Sequence, residues 1–126
     1  MTREVISTTD APAAIGPYSQ GIRAEGRFVF FSGQIPLKPT GELLQGDIKA
    51  QTQLVLDNIA GLLKAAGLTA ANVVKTSIFL SSMDNFAAMN EVYGNFFHES
   101  PPARSTVAAS GLPKGVDIEI EVIAVY

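Results

Sequence analysis

The sequence predicts an α+β fold: a six-stranded mixed sheet with two helices packed on one of its faces, formed by one domain spanning residues 1–126. Three observations carry this. Apolar residues recur at helical spacing in two long stretches, 47–66 and 84–97. Around them lie six short runs that alternate or cluster as strands do. The last run, Asp117 to Tyr126, places Ile118, Ile120, Val122 and Ala124 on one face, because successive strand residues point opposite ways.

The elements follow in order. Val5 to Ser7 reads as a short first strand. Gly21 to Ala24 and Arg27 to Ser32 read as a hairpin turning at Glu25-Gly26. The run FVFFSGQIP is apolar on both faces as far as Ser32-Gly33, which predicts a central strand ended by Pro36 and Pro39, with Thr40-Gly41 turning the loop. Gly33 marks a bulge or a close approach. From Asp47 to Ala66, the residues Ile48, Val55, Ile59, Leu62, Leu63 and Ala66 form a helical stripe, and Gly67 closes it. Val73 to Ser81 reads as a strand. Asp84 is placed to cap a second helix carrying Phe86, Met89, Tyr93, Phe96 and Phe97 on one face, and Pro101-Pro102 forbids its continuation. Ser105 to Ser110, a Gly/Pro connection at 111–115 and the final strand complete the chain.

Composition limits the function classes. A chain of 126 residues can build one core but has no room for a separate cofactor domain. A net charge of −3 without a basic cluster argues against a nucleic-acid groove. The absence of cysteine excludes disulfides, thiol nucleophiles and thiolate metal sites. No signal peptide and no apolar run of membrane-spanning length are present, so the expected address is cytoplasmic, with no membrane partner. The lone His98, near a helix end, reads as a surface residue favourable to the helix dipole, and no metal site is expected. Gly111 and Gly115 do not make a phosphate loop, and the serines lack a nucleophile elbow.

The second face of the last strand carries Glu119, Glu121, Ile123 and Val125, a mixture of charge and bulk that suits a covered surface. Carboxylates there need cations, donors or a ligand. Arg104 is the nearest cation in sequence, and together they read as an anion site with an acid/base beside it, or as an ordinary ion pair or solvated strand end. Two amphipathic helices cover one sheet face, so the other is expected to pack against further copies of the chain in a closed oligomer, with sites in the clefts between subunits.

A set of strings then stands in order across nearly the whole chain: APAAIGPYSQG at 11–21, FSGQIP at 31–36, LDNI at 56–59, AAGL at 65–68, VVKTSIFL at 73–80, and PPARSTV followed by IEIE. In these the chain resembles the RidA family, also called YjgF, of reactive-intermediate deaminases. The resemblance implies a chorismate-mutase-like fold, a homotrimer with three intersubunit sites, and no cofactor. The implied activity is hydrolysis of enamine and imine intermediates, such as 2-aminoacrylate and its 2-imino acid tautomer, to 2-oxo acids and ammonia.

Roles carry over residue by residue. A guanidinium fork can hold the substrate carboxylate through paired charge-assisted hydrogen bonds, the role of Arg104. Glu119, the first glutamate of IEIE, is implied as the acid/base for water addition, and Glu121 as structural. Tyr18 is implied to donate to or orient the substrate, or else is an aromatic at a strand entrance. Ser32 and Gly33 are implied to line the pocket. Asn90 is implied as a polar pocket residue, or is an exposed helix residue. Many relatives carry cysteine where this chain has Thr106, so a thiol mechanism is excluded, while the backbone there still offers N–H and C=O groups to a ligand. Two other function classes compete: a non-catalytic trimer binding small 2-oxo or related carboxylates, and a nuclease, which the acidic balance disfavours.

Overall fold

The computed structural model describes residues 2–126. Six strands and two helices appear among them: β1 (Thr2–Ile6), β2 (Gly21–Glu25), β3 (Phe28–Gln34), α1 (Ile48–Ala65), β4 (Val73–Leu80), α2 (Phe86–Phe96), β5 (Ala103–Ala108) and β6 (Ile118–Val125). Strands β3, β6, β4 and β5 form one mixed sheet in that order, with β4 and β5 parallel and the other neighbours antiparallel.

Each helix is set by local chemistry. The Asp47 carboxylate accepts the Ala50 N–H at the start of α1, Lys64 sits in its last turn, and Gly67 follows at φ +75°. Asp84 does not cap α2. It lies in a 3₁₀ turn, Met83–Asn85, where the Ser82 hydroxyl accepts the Asp84 N–H, and the helix proper begins after Asn85. The earlier Ser82 claims the capping role because its extended backbone aims Oγ at the free N–H groups.

Both helices cover the same face of the four-stranded sheet. Val55, Leu56, Ile59 and Leu63 of α1, with Met89, Tyr93 and Phe97, pack on Val73, Ile78, Leu80, Ile118, Ile120, Val122 and Ala124. The alternation of β6 therefore acts as the sequence predicts. A polar tie anchors the start of β6 to this layer. Asp117 accepts from Gln51 Nε2 at 3.0 Å and from Ser81 Oγ at 2.7 Å, while its N–H donates to Gln51 Oε1 at 3.2 Å.

The predicted single sheet of six strands is not what forms. β1 and β2 pair with each other as a separate antiparallel arm, and β2 makes no ladder with β3. The turn expected at Glu25-Gly26 is absent because Gly26, at φ +144°, leads the chain away, and Arg27 exchanges both backbone hydrogen bonds with Tyr126 instead. The arm is fastened elsewhere. Arg3 donates to the carbonyls of Val73 at 3.0 Å and Ser100 at 2.7 Å, and the Ser19 N–H donates to the Pro102 carbonyl at 3.2 Å. β3 is consequently an edge strand, not a central one. Its double-sided apolar character leaves Phe28 and Phe30 stacked on the uncovered face, 55% and 72% exposed.

Candidate active site

The site centres on Arg104, at the second position of β5. The parallel register sets Arg104 beside Thr76, whose side chain is buried under α2 and hydrogen-bonded to the Tyr93 hydroxyl at 2.8 Å. Arg104 therefore projects on the helix-covered side, at the rim of the layer. Its Nη1 donates to Asn90 Oδ1 at 2.7 Å. Three rings surround the guanidinium carbon: Tyr93 at 5.0 Å, Tyr18 at 5.5 Å and Phe86 at 5.6 Å from their centroids. Rings hold a cation through their quadrupoles without consuming its N–H donors.

The electrostatics follow from that enclosure. Burial lowers the Arg104 pKa from its ordinary value, an effect the Tyr93 and Tyr18 hydroxyls oppose, yet an arginine remains charged throughout the working range. Burial likewise pushes Tyr93 up to about 12, with the Thr76 hydrogen bond and the Arg104 charge acting in the other direction. Among the described residues, the ion pairs are Arg23 with Glu4, Lys38 with Glu42 and Lys49 with Glu91, so Arg104 has no carboxylate. A half-buried cation with unused donors is a receptor for an anion.

The sequence-predicted residues fall into two groups. Arg104, Asn90 and Tyr18 meet directly. Thr106 shares their side of β5, opposite Ile78 of β4, and its buried Oγ1 has no hydrogen-bond partner. Glu119 stands elsewhere. It pairs with Phe79, three positions along β4 from Thr76, and so faces the uncovered side of the sheet. Two strand spacings and three residues separate it from Arg104, roughly 14 Å between Cα atoms. Gly33 lies against Glu119, at a bulge between Phe31 and Gln34, with exposed Ser32 beside it. Within one chain the sheet divides Arg104 from Glu119.

Sequence reasoning assigned Phe86 and Tyr93 to the core and missed their part in the cage. The signal was present in the spacing: Phe86, Asn90 and Tyr93 sit at i, i+4 and i+7 on α2, one stripe facing β5. A hollow of about 690 Å³ belongs to the arm itself, between Ile6, Thr8, Ala13 and Gln20, and has no charged lining.

Fold and cage together define the class, a small two-helix α+β protein with a half-buried arginine caged by three aromatic rings. The chain belongs to the endoribonuclease L-PSP family, the YjgF/RutC/RidA family, whose sequence profile matches residues 8–126. It is 46% identical to the 2-iminobutanoate/2-iminopropanoate deaminase of Mus musculus, over 98% of this chain and 91% of that one. The structure of E. coli TdcF with bound serine is 45% identical, covering 98% of each chain, with a TM-score of 0.75. YyfB of Yersinia pestis, described as a conserved Rid family protein of unknown function, is 33% identical over the full length of both chains, with a TM-score of 0.90. Backbone likeness here runs opposite to sequence likeness. Among the described residues no helix is long and apolar enough to cross a membrane.

Proposed function

We propose that the protein hydrolyses 2-imino acids, the tautomers of 2-aminoacrylate and its homologues, to 2-oxo acids and ammonia. The carrying observation is Arg104, a caged guanidinium with free donors and no carboxylate partner among the described residues. Two of those donors match the two oxygens of a substrate carboxylate, each such bond contributing roughly 1.5 to 3 kcal/mol. The name of the mouse relative and the amino acid bound in TdcF both support a small carboxylate here.

The reaction needs a second group. Water adds to the imine carbon as the imine nitrogen takes a proton, giving a carbinolamine, which then expels ammonia as its hydroxyl loses a proton and the 2-oxo acid forms. A carboxylate near the imine can accept the water's proton and return one to nitrogen. Glu119 fills that role, supplied by a second copy of the chain, since the sheet separates it from Arg104 of its own chain. Tyr18 packs over the guanidinium and orients the bound carboxylate, and Asn90 fixes the fork. Ser32 and Gly33 line the Glu119 side, and Thr106 offers its backbone beside Arg104.

The test generates a 2-imino acid in situ with an amino-acid oxidase and follows its survival by semicarbazide capture. Wild type accelerates imine loss, whereas Arg104→Ala and Glu119→Gln each fall to the buffer rate. Refolding the two variants together restores about a quarter of the wild-type sites if each site draws on two copies. Failure of wild type on several side chains would overturn the hydrolytic reading. One observation favours a second reading, a carboxylate-binding module without turnover: the Arg104 cage is complete within one chain and needs no Glu119. In that case Glu119→Gln binds 2-oxo acids as wild type does, and neither turns over an imine. The net charge of −3 counts against a ribonuclease.

A further inference from the structure

Two strand edges are left open within two residues of each other. β2 pairs along one edge with β1, and β3 along one edge with β6, and among the described residues neither makes another ladder. β3 is a poor edge: FVFFSGQ contains no charge and no proline, and its two outward aromatics are exposed. β2 is no better placed, because a lone two-stranded ribbon is marginal in water. Beside β3 runs a cleft of about 540 Å³ walled by Gly33, Gln34 and Ile35 on one side and Asn58 and Leu62 of α1 on the other.

The chain cannot join its own edges in this arrangement. Arg3, Ser19 and Tyr18 hold the arm at the starts of β4 and β5 and over Arg104, and Pro17 packs on Gly94 of α2. While those contacts stand, the free edge of β3 is open to the arm of another molecule. We infer that the β1–β2 arm is exchanged between copies, β2 of one subunit pairing antiparallel with the partner subunit's β3.

The pattern of faces supports a register. Ile22 and Ala24 are the half-covered side chains of β2, and Val29 and Phe31 those of β3 ahead of its bulge. Setting Ile22 beside the partner subunit's Phe31, and Ala24 beside the partner subunit's Val29, brings covered faces together. Arg23 then lies beside the partner subunit's Phe30, a cation over an exposed ring. The same register runs Gly21 beside the partner subunit's Ser32 and Gln20 beside the partner subunit's Gly33. Tyr18 and Arg104 of one copy thereby approach the Gly33–Glu119 side of the next. The exchange rests on the hydrolytic reading only for its consequence, since it supplies the route by which two copies complete one site. Solved relatives match this chain's backbone to different degrees, at TM-scores of 0.75 and 0.90.

The cysteine-free sequence permits a direct test. Arg23→Cys and Phe30→Cys are made singly and together, and a short thiol cross-linker is applied. Exchange predicts chain-to-chain products joining 23 to 30 in the double variant and in co-refolded single variants, at several times the yield of either single variant alone. If the double variant yields only monomer with an internal 23–30 link, identified by peptide mass, or if neither preparation yields a 23–30 link, the exchange is overturned. Co-refolding of Arg104→Ala with Glu119→Gln reads the other proposal separately. Restored turnover with an internal link sinks the exchange alone, and an interchain link without restored turnover sinks the composite hydrolytic site alone.

Discussion

Gly33→Ala is expected to silence the protein without unfolding it. Gly33 has no left-handed backbone angle, so alanine is conformationally acceptable there. Its added methyl would stand 2.9 Å from Cδ and 3.1 Å from Cγ of Glu119. Carbon atoms settle at about 3.5 to 4.0 Å, so the carboxyl carbon must retreat by roughly 0.6 to 1 Å. The glutamate side chain is flexible enough to yield, and half-exposed enough that stability should change by less than about 1 kcal/mol. Catalysis is less forgiving: a 1 Å misplacement can cost about 10²-fold in rate. That is about 2.7 kcal/mol of transition-state stabilisation. The assay is imine loss under semicarbazide capture, with thermal unfolding on the same samples. A variant that keeps the wild-type kcat refutes the assignment of Glu119, and one that loses kcat together with its thermal transition refutes the claim that the methyl acts on position alone.

Thr106→Val removes a buried hydroxyl that has no partner, so stability should hold or rise by up to about 1 kcal/mol, with kcat/KM little changed; a clear loss in urea unfolding would mean the hydroxyl has a partner in solution. Tyr93 gives a pH dependence. Its folded pKa of about 12 exceeds the ordinary value near 10, so the folded state binds the phenolic proton more tightly, and the associated stability is complete below pH 10 and lost as pH rises towards 12. Denaturant unfolding over that window should fall less steeply for Tyr93→Phe than for wild type, by up to about 1.4 kcal/mol per pH unit, and parallel curves would show that Tyr93 does not titrate differently on folding.

The helical stripes and the alternation of β6 were legible because each is a local pattern facing one solvent-free layer. The placement of β3 was not. Phe28 and Phe30 look like central-strand residues by composition, and what makes them edge residues is an arm held by Arg3 through contacts 70 and 97 positions away in sequence. The site was legible in part for the same reason. Arg104, Asn90 and Tyr18 lie together in the structure, but the division from Glu119 depends on the register of two ladders through β4, which no short motif records.

The tie at Asp117 bears on how the chain can vary. Because Gln51 and Ser81 grip the residue immediately before β6, the alignment of Glu119 two positions later is inherited from α1 and β4. The connection ahead of it, with exposed Gly111, Pro113, Lys114 and Gly115, carries none of that alignment. Extra residues could be spliced into this stretch, as a tag or a new recognition loop, and the carboxylate would keep its aim.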